Sequence, residues 1–72
     1  MSVFVVTGID FDGGQCVFGI YEKKERAEFE AKRIKNAWQT GPEAGSVMAE
    51  RHANAIKVTE LAPGFKEFEI YD

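Results

Sequence analysis

Two seven-residue apolar runs, Val-Phe-Val-Val-Thr-Gly-Ile at 3–9 and Gln-Cys-Val-Phe-Gly-Ile-Tyr at 15–21, flank the stretch Asp10-Phe11-Asp12-Gly13-Gly14. Both runs are rich in β-branched and aromatic residues and too short for a globular helix, so they read as strands. Asp-Gly and Gly-Gly pairs supply the positive φ that a tight hairpin turn needs. The chain is therefore committed at its start to an antiparallel hairpin. With the turn centred on Asp12-Gly13 or Gly13-Gly14, one face carries Val3, Val5, Thr7 and Ile9 beside Cys16, Phe18 and Ile20. The other carries Phe4, Val6, Gly8 and Asp10 beside Gln15, Val17, Gly19 and Tyr21. An odd-length loop would break this grouping, because a one-residue shift swaps faces.

A helix is predicted over about 22–39. Ala27, Ala31, Ile34 and Trp38 recur at spacings of four, three and four, which draws one apolar stripe. Glu22–Arg26 and Glu28–Lys32 stand at the favourable i,i+4 spacing. Lys32, Arg33 and Lys35 complement the C-terminal end of the dipole, and Gly41-Pro42 ends the run. Residues 41–54 read as a loop, or as a short helix capped by Ser46 and running through His52. Strands are predicted at about 55–61, where Ile56 and Val58 share a side, and at 65–71, where Phe68 and Ile70 do. Ala62-Pro63-Gly64 turns between them. The expectation is one domain of the α+β class, ββαββ, a four-stranded antiparallel sheet with one main helix on one face.

Few staples are open to such a chain. Among its 72 residues Cys16 is the only cysteine and His52 the only histidine. A domain this small buries only about 60% of its unfolded surface, so it needs a good core or a second chain. A lone cysteine and no signal-like N-terminus point to a reducing, cytoplasmic setting without membrane insertion. Twelve acids against nine bases give a net charge of −3, which lacks the basic footprint of direct nucleic-acid binding.

The chemistry-bearing residues do not assemble into a catalytic or metal site. Asp10-Phe-Asp12-Gly opens like a calcium loop, but Gly14 and Tyr21 stand where further ligands belong. Cys16 alternates with core residues, so its pairing with His52 as nucleophile and base is disfavoured against a buried structural thiol. Gly13-Gly14 closes a hairpin and does not open a helix onto a phosphate. No cofactor and no enzymatic activity are expected.

Binding is the remaining class. The helix stripe is expected to seat on the first sheet face. That leaves Phe4, Val6, Val17 and Tyr21 on the second as an apolar surplus for residues 41–54, a second copy or a foreign partner to cover. Phe29, opposite the stripe among Glu25, Lys32, Arg33 and Asn36, joins them as a candidate contact.

The Val-Phe-Val-Val strand, the Asp-x-Asp-Gly-Gly turn and Val-Phe-Gly-Ile-Tyr-x-Lys-Lys-Glu-x-Ala-Glu running into a helix resemble small uncharacterised bacteriophage and prophage proteins over residues 3–31. The chain departs from that pattern in opening its helix with Tyr21-Glu22 where Ser or Thr is common. The resemblance implies a small viral accessory protein in the host cytoplasm, from a group that includes anti-CRISPR and other anti-defence inhibitors. It carries over no site residues. The expected function is thus a non-enzymatic protein-binding module, with an oligomeric small-ligand or nucleotide binder and a structural homodimer as alternatives.

Overall fold

A computed structural model describes residues 2–61 and places five elements on them: β1 (Val3–Ile9), β2 (Gln15–Tyr21), α1 (Lys24–Thr40), α2 (Val47–Ala55) and β3 (Lys57–Leu61). The strands form one antiparallel sheet in the order β2-β1-β3. The class is α+β, with three strands and two helices among the described residues. The fourth strand expected at 65–71 lies outside them.

The hairpin forms where expected, but its loop is odd. Asp10 and Gly14 face each other through Asp10 N–H to the Gly14 carbonyl at 2.8 Å, and Gly13 N–H closes a turn onto the Asp10 carbonyl at 3.0 Å. Gly13 sits at φ 85°, which its missing Cβ permits. This is the three-residue connection, a turn followed by a left-handed glycine. One Asp10 carboxylate oxygen accepts from Asp12 N–H at 2.9 Å and Gly14 N–H at 2.8 Å, holding the tip in place.

The odd loop shifts the near half of the hairpin, so that Thr7 pairs with Val17, Gly8 with Cys16 and Ile9 with Gln15. A bulge then inserts Phe18, and beyond it Val6 pairs with Gly19, Val5 with Ile20 and Phe4 with Tyr21. The expected grouping therefore survives only in the far half. Phe4, Val6 and Gly8 share a face with Gly19, Tyr21 and Val58; Val5 and Thr7 share the other with Ile20, Val17, Thr59 and Leu61.

The helices lie on the Phe4–Val6–Gly8 face, the reverse of the expected seating. The groove on the opposite face, lined by Val5, Thr7, Gln15, Val17, Thr59 and Leu61, contains no helix residue. Counting apolar side chains missed the reason: the two glycines make room on this face. Phe18 and Ile56 close over Gly8, and the Tyr21 ring folds over Gly19. Small inward residues, Ala27 from α1 with Ala49 and Ala53 from α2, complete a thin core with Val6.

α1 starts two residues later than its periodicity suggests, with Lys23 extended in the cap position and making no side-chain bond. Glu22 is thus outside the helix. The ion pair found among the described residues is Glu30–Arg33 at 2.7 Å, in place of the expected Glu22–Arg26 and Glu28–Lys32 pairs. The helix runs on to Thr40, so its last turn holds no basic residue. It stops at Gly41, which is extended, as a residue before proline prefers. A Cβ there would come within 2.6 Å of the Ala37 carbonyl oxygen.

Residues 41–46 make turns through Gly45 (φ 88°) to Ser46, whose hydroxyl accepts from Ala49 N–H at 3.0 Å and caps α2. α2 packs against α1, and both helices contact β1. It does not line the groove on the opposite face, and it delays β3 to Lys57.

Candidate interaction site

The hairpin tip and α2 together build a cleft of about 330 Å³. The tip contributes Phe11, lifted clear of the sheet by the turn on either side of it. α2 contributes Val47, Met48, Arg51 and His52, whose i, i+1, i+4, i+5 spacing puts them along one side of the helix. Ala49 and Ala53 point the other way, into the core.

Two of the lining side chains, Phe11 and His52, belong to a cluster of three rings completed by Trp38. Trp38 of α1 stacks on His52 with centroids 4.3 Å apart and planes at 16°. Phe11 leans on both, 5.4 Å from His52 and 6.2 Å edge-on to Trp38. Such offset and edge arrangements stabilise by about 0.5–1.5 kcal/mol beyond simple burial. His52 is buried by this stack, yet Phe11 remains 79% exposed. Val47 at 75% and Met48 at 38% stand beside it. Three large apolar side chains thus border one cleft in water. Asp10, Asp12 and Arg51 supply charges at its rim.

The residues expected to make contacts do not converge. Val6 is completely buried and is a core residue. Phe4 and Tyr21 are half-buried on the helix side of the sheet. The bulge puts Val17, 41% exposed, on the opposite face. Phe29, 61% exposed, stands alone on the outer side of α1.

Sequence alone does not single out Phe11, Val47 and Met48, because Phe11 falls within the hairpin turn and residues 41–54 read as a loop or a short helix. A signal was present: an aromatic inside Asp-x-Asp-Gly has no role in turn formation, so its place there calls for another reason. Cys16 is half-buried and unpaired by disulfide, and His52 has its ring in the stack. No three His, Cys, Asp or Glu side chains among the described residues are arranged to hold a metal ion. No described helix is long and apolar enough to cross a membrane.

Comparison with known proteins found no match: no family model, curated protein or solved structure is similar enough to place the chain in a family.

Proposed function

We propose that this chain is a non-enzymatic protein-binding module that docks through the cleft between its hairpin tip and α2. The observation that carries the reading is the convergence of exposed Phe11, Val47 and Met48 on one cleft whose lining also includes His52, itself stacked on Trp38. Aromatic and aliphatic anchors on a fixed support, with charges at the rim, are the composition of a binding hot spot. A cleft open on one side suits an inserted side chain or short segment better than an enclosed metabolite. The likeness to small phage proteins gives the reading a biological setting, an accessory inhibitor of a bacterial complex.

The test is affinity capture from bacterial lysate with the wild type, Phe11→Asp, Val47→Asp and Phe29→Asp, each checked for unchanged circular dichroism. We expect the first two variants to lose at least tenfold in partner recovery, since hot-spot truncation costs about 2 kcal/mol or more. Phe29→Asp should retain it. Undiminished capture by both cleft variants would overturn the assignment. Saturable stabilisation by a nucleotide or metabolite panel would favour the small-ligand reading instead.

A further inference from the structure

We infer that the cleft between the hairpin tip and α2 selects a segment of a foreign protein in which one large apolar side chain has a basic residue on one side and an acidic residue on the other. The inference rests on the reading of this cleft as a docking site. Its two walls carry opposite charge. Asp10 and Asp12 stand on the hairpin wall and Arg51 on the α2 wall, all three exposed. They line one cleft, yet none of them belongs to an ion pair among the described residues, where Glu30–Arg33 is the pair found. One Asp10 carboxylate oxygen is held by the turn amides of Asp12 and Gly14, and the other takes no part in the turn. Between the charges the lining is apolar, with Phe11, Val47 and Met48 exposed.

Charge complementarity decides among occupants. A wholly apolar segment would take water from Asp12 and Arg51 and return no partner to either. A uniformly charged segment would meet a like charge on one wall, and such juxtapositions reject wrong partners. A segment with one charge of each sign answers both walls at once. Size agrees with this. The cleft, at about 330 Å³, lies at the lower end of the range for small-molecule sites, about 300–1,000 Å³, and suits one inserted side chain with its neighbours on the rim. A second copy brings a further net charge of −3 to the encounter, which sets the chain against itself as occupant.

The experiment is an amide NMR titration of the full chain with four end-blocked pentapeptides. Each has Leu at its centre, Ser on either side of it, and end residues that are Lys and Glu, both Lys, both Glu or both Gln. Alternate residues of an extended segment share a side, so the Leu enters while the end residues meet the rim. The Lys–Glu peptide should bind tightest, by about 1.5- to fivefold over the Gln peptide for each matched charge, with the margin shrinking in high salt. Arg51→Glu makes both walls acidic, and the Lys–Lys peptide should then become the tightest. That result requires binding, so a variant that failed to fold could not imitate it. Equal affinity for all four peptides, read at the amides of residues 10–13 and 47–52, would leave the docking site standing and overturn the charge rule. Shifts at those amides that grow with protein concentration alone would identify a second copy as occupant and overturn it too. No shift there with any peptide would overturn both the rule and the docking reading.

Discussion

A single hydroxyl gives the sharpest residue-scale test of how this sheet is built. Thr7 sits in the central strand with its oxygen buried and unpartnered. Burying such a group costs about 1–3 kcal/mol, and removing it in a side chain of the same shape recovers that cost. Valine is nearly isosteric and favours strands. Thr7→Val should therefore stabilise the fold by about 1 kcal/mol or more, seen as a rise of about 4–8 °C in thermal midpoint per kcal/mol at this chain length. A fall would mean that the hydroxyl makes a bond in solution. Gly8 shows the opposite economy of space: a Cβ there would stand 2.5 Å from the Phe18 ring and 2.9 Å from Ile56 Cδ1. The glycine lets those two side chains close over the sheet, and no single-strand pattern reveals that requirement, because both neighbours arrive from other parts of the chain.

At the scale of elements, local chemistry was legible and relative placement was not. The hairpin strands and α1 could be read to within two residues, since alternation and the Ala27–Trp38 stripe are properties of contiguous sequence. Ser46 announced α2, but the glycines at 41 and 45 argued equally for a loop; tertiary packing of Ala49 and Ala53 settles the balance. The seating of the helices escaped because loop parity and the Phe18 bulge decide which residues share a face. Within α2, Ser46→Ala should cost about 1 kcal/mol by removing the cap, measurable by urea titration. An unchanged midpoint would mean that α2 is held by packing alone. In α1, the hydrogen bond from Arg33 holds the Glu30 carboxyl below the usual carboxylate range, and Glu30 raises Arg33 in turn. The depressed group stabilises above its unfolded-state value, and that contribution disappears as pH falls through its folded-state value. Arg33 is 61% exposed while the Glu30 side chain is 13% exposed, so Arg33→Gln should raise Glu30 toward ordinary titration by carboxyl NMR while moving the neutral-pH thermal midpoint little. A large destabilisation would contradict that reading.

At the scale of the whole molecule, the described residues supply a thin core. Of the six buried apolar residues among those described, three are alanines, and Ile20 and Val6 are the largest fully buried side chains. Such a core should give a global stability near or below the low end of the usual range, about 5 kcal/mol, by denaturant unfolding. A value above about 10 kcal/mol would show that further contacts hold the chain. Marginal stability also makes any tight partner visible, because a ligand at 100 times its dissociation constant adds about 2.7 kcal/mol. The bulge at Phe18 has a further consequence, best put in the language of crystals. It is a dislocation in the β1–β2 ladder, with the Asp10-pinned tip on one side and the core pairs Val6–Gly19 and Val5–Ile20 on the other. A slip of the tip by one residue would be absorbed at that line and stop there. The end of the hairpin that presents Phe11 can therefore drift in sequence and shape while the pairing that seats the helices stays as it is.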